Sequence, residues 1–232
     1  MIDKFVRSMA EAMNGIKDGS TVLIAGFGDV GAPNALIEGL IEQGASQLTI
    51  VVNSGGRNRV AGVPTSGLTR LVELGRVKKM ISTFIRAQSI AGELVRQGKM
   101  EGVVIPQGTL AERMRAAGAG IPAFYTPTGA GTVVAEGKET RWYQGRECIL
   151  EEALPGDVAL VEAWMADRWG NLLFRDASRN FNPIVAMAGA LTIVQTHHVC
   201  DLGQIPSNEV VTPGIFVDRV LHVPAGDPKP VV

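Results

Sequence analysis

Short, almost wholly apolar runs alternate with amphipathic stretches along most of this chain, and that alternation restricts the fold more than any other property of the sequence. Residues 21–25 (TVLIA), 48–52, 102–105, 158–163 and 171–174 are such runs, and the more polar 77–83 and 191–196 also read as strands. A run that is apolar at consecutive positions suits a strand covered on both faces, as in parallel sheet. The intervening stretches follow helical spacing. Pro33 suits a first helical turn, Leu36, Ile37, Leu40 and Ile41 give one apolar face, and Gly44 closes the segment. Residues 89–97, 109–117 and 183–190 read as further helices; Thr109 and Glu112 have capping-box spacing, and the last segment begins at Pro183. Residues 3–14, with Phe5, Val6, Met9 and Met13 near helical spacing, predict an N-terminal helix. The pattern as a whole predicts an α/β fold, a mostly parallel sheet flanked by helices on both faces.

Length sets the number of such units. With 232 residues, 46% of them hydrophobic, one domain over residues 1–223 is expected, followed by a flexible Pro-rich tail over 224–232. The formal net charge of −1 offers no electrostatic footprint for nucleic acid or anionic membrane. No apolar run is long enough to span a bilayer, and the first residues lack a basic segment followed by an apolar stretch, so a cytoplasmic protein is expected. Cys148 and Cys200 are the two cysteines and read as reduced thiols.

The first strand runs into Gly26-Phe27-Gly28-Asp29-Val30-Gly31, and a helix follows. This is the glycine spacing of the dinucleotide fingerprint. Such glycines let backbone N–H groups approach phosphate oxygens, and a helix N-terminus adds a favourable dipole. The pyrophosphate of a nicotinamide dinucleotide meets these conditions; so does that of coenzyme A, and the same glycines also suit a bare strand-to-helix turn. A dinucleotide fold wants an acid after its second strand to hold ribose hydroxyls. Asn53 stands there, followed by Ser54-Gly55-Gly56 and by Arg57, a residue that suits a 2′-phosphate.

Longer motifs carry more information. Asp18-Gly19, Val22-Leu23-Ile24-Ala25-Gly26-Phe27, Gly31 and Pro33 form one. Pro106-Gln107-Gly108-Thr109-Leu110-Ala111-Glu112-Arg113 and the Gly118 to Gly129 stretch form a second. Asp167-Arg168-Trp169-Gly170-Asn171-Leu172, with Ala177-Ser178-Arg179-Asn180-Phe181-Asn182-Pro183, is a third. Together they resemble the A (alpha) half of the family I coenzyme A transferases, in the group that acts on acetoacetate or 3-oxoadipate with succinyl-CoA. The chain departs from the family pattern at Ala25, Asn34 and Ser54, where glycine, glutamate and a second asparagine are usual.

The resemblance implies the CoA-transferase (sugar-isomerase-like) fold and a route through a glutamyl-CoA thioester. The nucleophilic glutamate of that family lies in a Ser-Glu-Asn-Gly-type motif on the B half, and no Glu here precedes Asn-Gly. A partner B (beta) subunit is therefore implied, in a heterodimer or an α2β2 heterotetramer. Gln107 is implied as the oxyanion donor and Asn53 as an orienting residue. Residues Ala25, Gly26, Phe27, Gly28, Asp29, Val30 and Gly31 are implied to bind CoA, which is a co-substrate with no tightly bound cofactor beside it. Glu93, Glu151 and Glu152 read as solvated or turn-associated carboxylates. His197, His198 and His222, with Cys200, lack metal-ligand spacing, so no metal is expected. Arg179 and Asn180 suit an ion pair or interface contact, or else a substrate carboxylate. Arg57, Arg59 and Arg86 are candidates for the second carboxylate that separates 3-oxoadipate from acetoacetate. Two other functions remain open at this point: an NAD(P)-dependent oxidoreductase using the glycine loop, and a non-catalytic CoA-binding module.

Overall fold

The computed structural model of the chain describes residues 2–56, 65 and 67–224. The chain opens with β1 (Phe5–Val6), α1 (Met9–Met13), β2 (Thr21–Ile24), α2 (Asn34–Gln43) and β3 (Leu48–Ser54). It continues through α3 (Gly67–Glu73), β4 (Val77–Phe84), α4 (Ile90–Arg96), β5 (Glu101–Val104) and α5 (Gln107–Gly118). Three short strands follow, β6 (Ala123–Thr126), β7 (Thr140–Tyr143) and β8 (Arg146–Glu152). The last part holds β9 (Gly156–Asp167), β10 (Leu172–Leu173), α6 (Asn182–Ala188), β11 (Gly189–Cys200) and β12 (Arg219–His222).

The main sheet has the order β1-β12-β11-β9-β2-β3-β4-β5, every neighbouring pair in it is parallel, and β10 adds an antiparallel pair to β9. From β2 the chain winds outward to β5; it then returns to lay β9 on the other side of β2 and winds outward in the opposite direction. The carboxyl ends of β2 and β9 therefore form a topological switch point, where an open α/β sheet leaves a crevice.

Strand periodicity sorts the core into two layers. Val22, Ile24, Ile50, Val52, Leu160 and Ile193 face one side, where they pack with Leu36, Ile37 and Leu40 of α2. Leu23, Val51, Ile81, Val161 and Val194 face the other and pack with Leu110 and Met114 of α5 and Val185 of α6. Leu36 and Leu40 are fully buried, and each such side chain contributes about 2–3 kcal/mol by leaving water. The expected α/β fold with a covered parallel sheet is thus observed.

Several boundaries differ from the sequence reading. Residues 3–14 are not one helix. Phe5 and Val6 pair in register with Val220 and Leu221, and Ser8 then caps α1 by accepting the Glu11 N–H at 3.1 Å. The helix expected over 109–117 starts earlier, at Gln107, because Pro106 sets an extended entry (φ −53°, ψ 137°), and its carbonyl accepts the Leu110 N–H. Thr109 is buried in the first turn instead of capping it. Strands β9 and β11 each run 12 residues, well past the expected 158–163 and 191–196, and pair with each other as far as Asp167 and Cys200. The pattern assigned no strand to residues 118–157, yet β6, β8 and β7 form a small antiparallel sheet there. Residues 225–232 of the expected tail lie outside the described residues.

Candidate active site

The glycine loop leaves β2 at the switch point. The Ala25 N–H donates to the Leu160 carbonyl at 3.0 Å, so the strand geometry extends one residue beyond Ile24. Ala25 is not among the positive-φ residues, so alanine at this position carries no backbone strain. Phe27 and Val30 then bond each other in both directions, at 3.0 and 3.3 Å, and close a two-residue turn over Gly28 and Asp29. Gly28 has φ +64° at the first of those two positions, where hairpin turns favour glycine. Gly31 has φ +68°, and a Cβ there would lie 2.5 Å from the Ser178 carbonyl oxygen. The glycines thus satisfy a tight hairpin and a close backbone crossing. Phe27 and Val30 remain about half exposed, at 51% and 49%.

The motif around residues 177–183 holds this hairpin from behind. The fully buried Asn182 amide donates to the Gly31 carbonyl at 3.0 Å and the Ser178 carbonyl at 2.7 Å, and its oxygen accepts the Glu162 N–H at 2.8 Å. Asn180 donates to the Val30 carbonyl at 3.0 Å. Arg179 is exposed.

The helix that follows does not offer its N-terminus to a phosphate. The Gln195 side chain, on β11 and 4% exposed, turns its carbonyl oxygen to the Ala35 and Leu36 N–H groups at 3.0 and 3.2 Å. Those are the first-turn donors on which a dinucleotide pyrophosphate would sit. With Asn53 in place of the ribose-binding acid, this occupied helix end argues against the nicotinamide reading. Beside the turn lies a cavity of about 770 Å³, lined by Ala25, Gly28, Asp29, Asn34, Ser54 and Arg86 among others.

Asn53 and Gln107 meet on the opposite face of the sheet. Asn53 follows Val51 in the strand alternation, is 2% exposed, and accepts the Gln107 side-chain N–H at 2.7 Å. The Thr83 hydroxyl donates to the Asn53 carbonyl at 2.7 Å, and the Asn53 amide donates to the Ser54 hydroxyl at 3.2 Å. Gln107 is exposed at the start of α5, where Pro106 fixes the entry. Its amide is oriented by Asn53, and a second N–H remains to it: a neutral donor held at the carboxyl edge of the sheet. Such a donor stabilises an oxyanion without neutralising a nearby carboxylate. The structure therefore brings Gln107 and Asn53 together. It sets residues 25–31 at the same edge of the sheet but against the cavity on the other face, where Ser54 and not Asn53 contributes.

Among the described residues, no carboxylate bonds this amide pair. Glu93 lies in the first turn of α4 and accepts the Gln97 side chain. Glu151 is not solvated as expected: it is 2% exposed and paired to Lys138 at 2.5 Å and Arg113 at 3.6 Å, at the junction of α5 with the small sheet. Arg57 and Arg59 lie outside the described residues. Arg86 lines the cavity and also stands over the Phe84 ring.

The titratable residue that the sequence reading passed over is Glu162. Burial raises its carboxyl to about 7. Gln195 donates to it at 3.3 Å, and His197 approaches at 3.7 Å. Burial also pushes the His197 imidazole down. Nearby, the exposed His198 ring makes a T-shaped contact with the Trp164 ring, centroids 4.2 Å apart, and Arg175 stands over the Trp164 ring at 4.6 Å. The available signal was a single acid inside the apolar run 158–163.

Known proteins agree with this architecture. A family model described as coenzyme A transferase matches residues 6–222. The A subunit of the 3-oxoadipate CoA-transferase of Pseudomonas putida is 48% identical over 225 residues, covering 96% of this chain and 95% of that protein. The A subunit of the probable succinyl-CoA:3-ketoacid coenzyme A transferase of Bacillus subtilis is 44% identical over 218 residues, covering 94% of this chain and 89% of that protein. Among solved structures, the acyl-CoA transferase of Escherichia coli O157:H7, in a thioester complex with CoA, superposes with a TM-score of 0.83 at 24% identity. That match covers 97% of this chain and 48% of the other, so this chain spans about half of that transferase.

Proposed function

Since the chain belongs to the coenzyme A transferase family, we propose that it is the A (alpha) half of a cytoplasmic two-subunit enzyme. That enzyme moves CoA from an acyl-CoA donor, succinyl-CoA, to a 3-oxoacid. The similarity over nearly the whole chain to proteins named as the A subunits of such enzymes carries this reading. The site supports it: a positioned neutral amide donor stands at the carboxyl edge of the sheet, and among the described residues no carboxylate bonds it.

In this reading the partner B (beta) subunit brings a glutamate to Gln107, in a heterodimer or an α2β2 heterotetramer. Its carboxylate oxygen attacks the acyl-CoA carbonyl; the C–S bond breaks, CoA thiolate departs, and a mixed anhydride remains. The thiolate then attacks the glutamyl carbonyl and releases the donor acid, leaving glutamyl-CoA. The acceptor acid reverses both steps. Each tetrahedral intermediate carries an oxyanion, which the Gln107 amide stabilises, with Asn53 orienting that amide. Residues 25–31 form a wall of the CoA site, and CoA is a co-substrate with no tightly bound cofactor beside it. Residues 1–223 act as one domain.

The test is reconstitution. The purified chain is expected to be inactive alone and to gain transferase activity with a beta subunit that carries a Glu-Asn-Gly motif. Turnover by the chain alone, or its absence with that partner on both acetoacetate and 3-oxoadipate, overturns the proposal. The ratio of the two rates assigns the acceptor.

A further inference from the structure

Two buried amides tie the glycine hairpin and the start of α2 to the sheet, and both meet at one residue. The Glu162 N–H donates to Asn182, whose amide holds the Gly31 and Ser178 carbonyls. The Glu162 carboxyl accepts from Gln195, whose oxygen holds the Ala35 and Leu36 N–H groups. These polar groups interrupt a layer whose neighbours on the same strand faces are Leu160 and Ile193. Buried polar side chains are costly unless fully bonded, so their placement at the switch point calls for a reason.

We propose that Glu162 and Gln195 are positioning residues for the transferase reaction, holding the turn of residues 26–31 and the first turn of α2 in the shape that receives the acyl-CoA. The inference rests on the function proposed above and deepens it. Without the Gln195 oxygen, two helix-end donors lose their partner, and α2 is free to shift against the cavity that it lines through Asn34, Ala35 and Glu38. Without Glu162, the Gln195 amide loses the acceptor that aims its oxygen at the helix. The charged groups around Glu162 are His197 at 3.7 Å, then Arg175 and His198 beyond Trp164, with Asp29 and Glu38 lining the adjoining cavity.

The test uses the assembled two-subunit enzyme, with initial rates measured across acyl-CoA concentrations. Gln195→Ala is expected to raise KM for the acyl-CoA about ten-fold while kcat changes less than about three-fold, as when a binding contact shared by ground and transition states is lost. Glu162→Ala should behave alike, whereas Glu162→Gln keeps an acceptor for the Gln195 amide and should stay within about two-fold of wild type. Gln195→Glu keeps the acceptor for the helix but sets a second carboxylate against Glu162. Its KM should be near wild type at about pH 6 and climb about ten-fold by about pH 8, a rise that the wild type lacks. If Gln195→Ala does not fold, Gln195→Glu decides alone. A KM unchanged in Gln195→Ala, or a Gln195→Glu profile parallel to wild type, overturns the inference. An inactive wild-type pair overturns the proposed function, and this inference with it.

Discussion

Replacing Glu162 with Gln should change how the stability of this chain depends on pH, and the structure sets both the sign and the size. The carboxyl extends from β9 and accepts from Gln195 of β11, and loss of water there raises its pKa from 4.5 to about 7. Below about pH 4.5 the folded and unfolded chains both hold the proton, and the site's contribution is complete. Between about 4.5 and 7 the unfolded chain releases its proton and the folded chain retains it, so stability falls as pH rises; above about 7 the loss is complete. The span corresponds to ~3 kcal/mol as a ceiling. Relaxation around the charged carboxylate reduces the expected loss to about 2 kcal/mol. Glutamine has no proton to release and keeps an oxygen for the Gln195 amide. Urea unfolding at several pH values from about 5 to 8, followed by circular dichroism, gives both curves. Other titrating groups act on both proteins, so the difference between the curves isolates Glu162. The expected result is a wild-type curve that drops relative to the variant by about 2 kcal/mol across that range. Parallel curves would refute the assignment of a half-buried, proton-retaining carboxyl.

The glycine hairpin gives a paired prediction. Gly31→Ala combines a positive φ with a Cβ 2.5 Å from the Ser178 oxygen, whereas Gly28→Ala has the positive φ and nothing within 4 Å. The first should cost upwards of about 3 kcal/mol and the second about 1 kcal/mol, read as midpoint shifts in thermal unfolding; equal shifts would remove the close crossing from the account. In the reconstituted enzyme, Gln107→Ala should reduce turnover about ten- to a thousand-fold, the scale of one oxyanion donor. A variant as fast as wild type would take Gln107 out of the mechanism.

What could be read in advance follows from what is local. Strands β2 and β3 and helix α2 were visible because runs such as TVLIA and the Leu36–Ile37–Leu40 face encode burial within a few residues. The strand at Phe5 and Val6 was not, because its partner lies at Val220 and Leu221. The small sheet was hidden for another reason: Thr140-Arg141-Trp142-Tyr143 is exposed at every position and shows no apolar alternation. Gln107 and Asn53 each stand in a legible motif, but the bond between them spans 54 residues and is a product of the fold. The glycine loop shows the limit best. Its spacing correctly announced a strand, a tight turn and a helix. That the helix end is already occupied by Gln195, 160 residues away from Ala35, lies beyond any local pattern.

The winding of the sheet also governs how the chain comes to be made. Its central pair joins Ile24 to Leu160, so the inner edge of β2 has no partner until synthesis has passed β9. Until then β2 to β5 form a half-sheet whose apolar inner edge, led by Val22, Leu23 and Ile24, is open to any other strand. Late closure of this kind slows folding and favours pairing between chains. A nascent chain stalled before residue 156 would carry that open edge, and the arrival of β9 both seals it and brings Glu162 to the glycine hairpin.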